Sequence, residues 1–325
     1  MTTRDRLLGL TVAVLWGLNF IAIRMGLDHF PPFLFAALRF GVMAVPVMLL
    51  VRFPRVRLGW FLLYACGFGI GQFAFLFLAM NLGMPTGLAS LVLQTSAPFT
   101  VLLGVLFMRE KLVLAQLLGI VVAVGGIVVI GVDRASHSAV GIGIVVPMAL
   151  TVLAGLSWAF GNIGSRRSQP DDALRMTLWM SAIPPVPFLA LSLAVEGPAA
   201  DWDALSTLGS SSGLLALAGL AYVVVLGTIA GSGLWTSLMK RYEASRVAPL
   251  SLLVPVVGIS AAWAFLGEAP RWAEIAGAAL VIVGCAAGVL AAPRSHPIPP
   301  LSSTGRSLPP DSPAPTPPTA PARSG

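Results

Sequence analysis

Residues 96–110 read SAPFTVLLGVLFMRE, and residues 253–268 read LVPVVGISAAWAFLGE. Each is an apolar run with an early proline, Pro98 or Pro255, and a glutamate at its exit, Glu110 or Glu268, twelve or thirteen residues later. Beyond each glutamate, Leu118-Gly119 and Gly126 recur at the same offset as Ala276-Gly277 and Gly284. Upstream, Trp16-Gly17-Leu18-Asn19-Phe20 is matched, with a shift of one residue, by Trp158-Ala159-Phe160-Gly161-Asn162. Coincidence among Gly/Ala-rich helices is the competing explanation, and it weighs most against the last pair taken alone. Together the matches predict an internal repeat.

The composition around these stretches says what kind of repeat it is. The 325-residue chain is 57% hydrophobic and 10% charged, against about 25% charged residues in soluble domains. With a mean hydropathy of +0.89, apolar residues fill the helices rather than one stripe of each, as in a polytopic membrane protein. This excludes a soluble enzyme, a DNA-binding domain and a disulfide-rich secreted module. Apolar runs bounded by Pro, Gly or charge predict ten spans, each about 20 residues long. The first five lie near 6–26, 32–52, 59–82, 86–108 and 112–132, and the second five near 140–164, 173–195, 213–238, 246–267 and 272–292. The expected units are a first five-helix repeat over 1–135, a second over 136–292, and a disordered, Pro-rich tail over 293–325. Five spans per repeat is odd, so the second enters from the opposite side, giving an inverted repeat of the kind found in secondary transporters.

The charges supply the frame. The net charge of +7 comes from short basic clusters between apolar runs, which set topology rather than bind nucleic acid. With the N-terminus inside, thirteen Lys and Arg between Arg4 and Arg246 face the cytoplasm, and only Arg24, Arg134 and Arg271 face out. The loop between spans seven and eight, with Glu196, Asp201 and Asp203, is expected outside. Arg4 and Arg6 precede an apolar run with no cleavage site, so that run reads as an uncleaved first span. Cys66 and Cys285 stand alone with no metal-ligand spacing, and no P-loop is present. Neither a metal nor a cofactor is expected.

The polar side chains within the spans are the candidate site. Thr86, Ser90, Gln94 and Pro98 recur every four residues on span four, as do Thr228, Ser232 and Thr236 on span eight beside Trp235. Trp16 and Asn19 on span one, Gln72 on span three, and Trp158 and Asn162 on span six complete a polar path through an apolar bundle. The competing role for each is an interhelical hydrogen bond worth about 0.6 kcal/mol. Trp60, Trp202 and Trp272, at span ends, suit the lipid interface. Arg39, about 10 Å into span two at 1.5 Å per residue, must face protein or water. It either holds a substrate carboxylate or bonds to helix carbonyls. The carboxylates and histidines all lie in loops, near span ends or in the tail, so no central proton relay is expected. Exchange without coupling, or coupling through Glu110 and Glu268 with Pro98 and Pro255 as gating positions, is expected instead.

Trp16-Gly17-Leu18-Asn19-Phe20, Pro31-Pro32 with Leu38-Arg39-Phe40, and the Pro-to-Glu exits together resemble the EamA family of the drug/metabolite transporter superfamily. Longer runs are similar to its O-acetylserine/cysteine exporter branch: Gln72 to Phe77, Asn81 to Pro85 followed by Gly87 to Gln94, and Arg241 to Glu243 leading to Arg246 to Gly258. The resemblance covers residues 1 to about 292. It implies a ten-helix bacterial inner-membrane exporter of cysteine-pathway metabolites and similar amino acids, with both termini cytoplasmic and two inverted repeats around a cavity. Met108-Arg109-Glu110 departs from the pattern that Gly267-Glu268 keeps. The partners expected are a small-molecule substrate and the lipid bilayer; the sequence leaves open a homodimer. A multidrug exporter of the same fold, and a membrane scaffold or receptor without transport, stand as the alternative functions.

Overall fold

The computed structural model describes residues 1–137, 141–242 and 247–290. The Pro-rich tail, Glu243 and Arg246 lie outside the described residues. The remainder is all helical, and the reason is the composition: in lipid every backbone N–H and C=O must be paired within the segment. Spans one to seven are α1 (Thr3–Leu27), α2 (Pro32–Leu50), α3 (Leu58–Asn81), α4 (Thr86–Met108), α5 (Leu114–His137), α6 (Val145–Ser168) and α7 (Ala173–Glu196). A short helix, α8 (Pro198–Ser206), precedes α9 (Ser211–Met239), α10 (Pro249–Leu266) and α11 (Trp272–Leu290). Among the described residues, nine helices are long and apolar enough to cross a membrane. The tenth, α11, is apolar over the shorter stretch Trp272–Ala287.

The stretch between spans seven and eight, expected as a loop, is instead helical. Gly197, at φ 91°, turns the chain sharply, and Pro198 occupies the first helical position of α8, where its missing N–H costs nothing. α7 is broken after Met180 and resumes at Pro185, because Pro184 and Pro185 cannot donate to the preceding turn.

The packing obeys an exchange of the two halves. α1 packs on α9 and α10; its counterpart α6 packs on α3 and α4. The pairs α2 with α7, α4 with α10, and α5 with α11 map onto themselves. The irregularities follow the same rule. α3 carries a π-helical stretch at Ala65–Gly71 and α9 one at Tyr222–Ala230. α4 tightens to a 3₁₀ turn at Leu93–Thr95, and the chain entering α10 does so at Ala248–Leu252.

Small residues set the closest approaches. A side chain on Gly126 would stand 2.5 Å from the Gly277 carbonyl oxygen, and one on Gly277 would stand 2.7 Å from that of Gly126. The offset shared by Gly119/Gly126 and Gly277/Gly284 is therefore the seam between α5 and α11. Gly67, Gly69 and Gly71 likewise face Gly161, Met180 and Ser157, so this run serves helix packing.

Candidate functional site: a polar track beneath a buried arginine

Arg39 is the centre. It is 5% exposed, deep in α2, and its guanidinium carbon lies 3.8 Å from the centroid of the Phe73 ring on α3 and 5.1 Å from that of Phe40. Such stacking recovers about 0.5–2 kcal/mol. Its Nη2 donates to Thr228 Oγ1 at 3.3 Å, while Nε and Nη1 have no partner. Neither of the two sequence-based roles is complete: Arg39 is bonded to a side chain rather than to helix carbonyls, and part of its hydrogen-bonding fork is unspent.

Thr228 is placed by the π stretch. Its hydroxyl donates to the carbonyl of Val223, five residues back, at 2.8 Å. In the same stretch the carbonyl of Gly227 accepts from Trp16 Nε1 at 2.9 Å. Trp16 also meets Trp235, with ring centroids 5.3 Å apart. Asn19, one turn along α1, lies against Gly227, and its Oδ1 is buried without a partner. Gln72 follows the π stretch of α3, beside Phe73; it is 4% exposed, and its Oε1 is also unpartnered. π turns recur at functional sites because they reorient side chains and carbonyls locally.

α9 then leads outward from this centre. Thr228, Ser232 and Thr236 follow at intervals of four residues. Thr236 lines a recess of about 330 Å³ with Leu174, Gly233, Ser237 and Arg241. At 1.5 Å per residue the track from Thr228 to Thr236 is about 12 Å long. The recess lies at the end of the bundle that carries the N-terminus, where Asp5 accepts from Arg241 Nη1 at 3.0 Å and from the Tyr242 hydroxyl at 2.6 Å.

The remaining sequence candidates do not join this group. Asn162 Nδ2 donates to Thr100 Oγ1 at 2.9 Å, and Trp158 meets Phe68 edge-on at 5.7 Å, on the α6 side. Gln94 Nε2 reaches the carbonyl of Ser251 at 3.5 Å, a contact between positions near the 3₁₀ turns of the two halves. Ser90 donates to the carbonyl of Gly87 at 2.6 Å and packs against Gly258. Pro98 and Pro255 are buried. Trp202 and Trp272 are exposed, but Trp60 is half-buried beneath the Arg167 guanidinium at 5.2 Å.

The two exit glutamates differ. Glu268 accepts from the backbone N–H groups of Thr86 and Gly87, both at 3.0 Å, and so caps α4 from the end of α10. Glu110 pairs with Arg166 instead. Both exits turn in the left-handed region, at Gly267 (φ 70°) and at Arg109 (φ 56°). The missing glycine is thus a strained residue in an unchanged turn. Sequence reasoning missed a second cap of this type: Glu196 accepts from Phe33 and Leu34 N–H at 2.8 and 3.1 Å. The signal was available, since neither Pro31 nor Pro85 supplies a side-chain cap to the helix that it precedes, and the free N–H groups need an acceptor from elsewhere. Phe73, Thr100 and Ser251 were missed because nothing local marks them.

A helical bundle built from two like halves, with broken spans and a buried arginine at a polar track, is compatible with a transporter. The EamA-like transporter family model matches the chain twice, over residues 6–132 and 141–289. The chain belongs to this family. Its two matches are the two EamA repeats, and the activity of the family is transport rather than catalysis. The chain is 42% identical over 290 residues to a "Probable amino-acid metabolite efflux pump" of Salmonella typhimurium, covering 87% of this chain and 94% of that one. It is 40% identical over 288 residues to a protein of the same description from Escherichia coli K12, with the same coverage. A "Probable terminal-alkyne amino-acid exporter" of Streptantibioticus cattleyicolor is 28% identical over 278 residues, covering 83% and 88%.

Proposed function

We propose that this EamA transporter exports amino acids or related small metabolites, cysteine and O-acetylserine among them, by alternating access. The observation that carries the reading is the unspent chemistry around Arg39. Nε and Nη1 are donors without acceptors, whereas Asn19 Oδ1 and Gln72 Oε1 are acceptors without donors. A buried polar group without a partner costs about 1–3 kcal/mol, and a zwitterion relieves both kinds at once. Its carboxylate takes the free edge of the guanidinium, and its ammonium takes the amide oxygens. Two relatives described as amino-acid metabolite efflux pumps support the same class.

In this reading Trp16, Asn19, Arg39, Gln72, Thr228 and Ser232 line the path from the recess, and Ser90, Gln94, Trp158 and Asn162 support it from the other helices. The repeats are inverted, both termini are cytoplasmic, and the recess is the inward mouth. Glu268 closes the outer end between α4 and α10. The tryptophan pair Trp16/Trp235 favours a second reading, export of a cationic drug by cation–π contact, but among the described residues no carboxylate accompanies it.

The test is counterflow into liposomes with the purified protein and labelled cysteine, O-acetylserine and other amino acids. Trans-stimulated uptake of at least one is expected. Arg39→Lys and Arg39→Gln, at normal membrane levels, are expected to lose it. Uptake of no amino acid, or normal uptake by both variants, rejects the proposal.

A further inference from the structure

The recess at the foot of the polar track contains a second guanidinium. Arg241, which ends the helical run of α9, lines it together with Leu174, Gly233, Thr236 and Ser237. Its side chain folds back one turn: Nη2 donates to Ser237 Oγ at 2.7 Å and Nη1 to Asp5 Oδ1 at 3.0 Å. A guanidinium carries five N–H donors, so among the described residues an N–H remains on each of its three nitrogens. Arg241 is 54% exposed, whereas Asp5 is 7% exposed and is fixed by two further donors, the hydroxyls of Tyr242 and Thr2. The arginine is therefore the partner that can turn toward a ligand, and the carboxylate is the one that stays. Arg175, beside Leu174 in the chain, pairs with Asp172 at 3.8 Å and does not line the recess.

We propose that Arg241 is a capture site for the carboxylate of an amino acid, held there ahead of Arg39, and that Asp5 keeps this hold weak. The inference deepens the export reading, on which the direction of travel rests. The Arg241 guanidinium lies at Ser237, and Arg39 donates to Thr228. These positions are about 14 Å apart along the helix axis at 1.5 Å per residue. No single carboxylate spans that distance, so the two guanidinium groups act in sequence. Between them α9 carries the hydroxyls of Thr236 and Ser232, neutral groups that cannot balance a charge. A carboxylate sheds water on entering an apolar bundle, and the loss is large unless a cation and its hydrogen bonds replace that water. Arg241 does so at the mouth, with a fork that matches a carboxylate. The recess, about 330 Å³, stands at the small end of the range of about 300–1,000 Å³ for small-molecule sites, as an amino acid requires. The Asp5 charge repels a second carboxylate at the same guanidinium, so the captured molecule passes on to the track.

The test reads occupancy of the recess in the purified full chain. A side chain on Gly233 meets nothing within 4 Å, so with Cys66 and Cys285 replaced by alanine, Gly233→Cys places a reactive thiol in the recess. O-acetylserine should slow its labelling by a methanethiosulfonate reagent. O-acetylethanolamine, the same molecule without the carboxylate, should not. Adding Arg241→Gln should raise the half-protecting concentration about tenfold, equivalent to about 1.4 kcal/mol. Arg241→Lys, which keeps the charge but not the fork, should fall between. Asp5→Asn, which keeps an acceptor for Arg241, should lower that concentration about threefold, the size of a unit-charge repulsion at about 6 Å in a water-like medium. If the pair only ties α1 to α9, both substitutions loosen the recess and act in the same direction. No protection in the parent, equal protection by O-acetylethanolamine, or shifts of the same sign with Asp5→Asn and Arg241→Gln overturns the proposal. Counterflow separates it from the export reading: protection without counterflow rejects export and supports the site, whereas counterflow without protection overturns the site alone.

Discussion

Removing the Glu268 carboxylate should open the end of the bundle that it closes, and the structure sets the size of the effect. Glu268 spans from the exit of α10 to the first turn of α4, with one oxygen on Thr86 N–H and the other on Gly87 N–H, each at 3.0 Å. Hydrogen bonds to a charged group contribute about 1.5–3 kcal/mol each. Glu268 is half-buried, so water recovers part of this when the clasp opens. A net bias of about 2–3 kcal/mol toward the closed form remains, equivalent to about 30- to 150-fold in the open-to-closed ratio. Thr86 is the reporter, because its side chain is fully buried beside the clasp. With Cys66 and Cys285 replaced by alanine, Thr86→Cys should react slowly with a membrane-impermeant thiol reagent. Adding Glu268→Ala should raise the labelling rate by the factor above. Glu268→Gln, which keeps one carbonyl acceptor, should fall between the two. If Glu268→Ala labels no faster than its parent while both are folded and monodisperse, the clasp contributes nothing to closure and the reasoning fails.

Three further outcomes can be measured. Arg109 is exposed and left-handed, so Arg109→Gly should remove about 1 kcal/mol of strain and raise the melting midpoint by about 2 °C, read by thermal unfolding in detergent. Gly126→Val should separate α5 from α11, because its side chain meets the Gly277 backbone. A loss of about 1–3 kcal/mol from overpacking is expected to appear as less monodisperse protein by size exclusion. Removing residues 293–325 should leave counterflow at the full-length rate, and lost flux at equal membrane levels would assign the tail a part in transport.

Much of this architecture is written in local pattern. Hydropathy marks where helices cross a membrane, and the recurrence of Pro98 and Glu110 as Pro255 and Glu268 marks the two halves. The glycine offsets from 119 to 126 and from 277 to 284 were readable as part of the repeat, but not as the packing seam that joins the two repeats to each other. Trp16, Asn19, Arg39 and Thr228 were each legible as polar residues out of place in lipid. Their grouping was not, because it depends on π stretches in α3 and α9 that no residue pattern announces. Trp158 and Asn162, matched to Trp16 and Asn19 by sequence, meet different partners, since equivalence by repeat does not place two sites at one point.

The sequence by itself determined residence in the membrane, the number of apolar segments and the division into two repeats. These follow from side-chain hydrophobicity and its spacing, which act over a few turns of chain. Only the tertiary structure decided which carboxylate caps which helix, which face of Arg39 stays unpaired, and that Arg241 meets Asp5 beside the recess. Those outcomes join residues far apart in the chain, as Glu196 is from Phe33 and Glu268 from Thr86. A hydrogen bond is made at about 3 Å or not at all, and no local preference brings such pairs within that distance until the helices have packed.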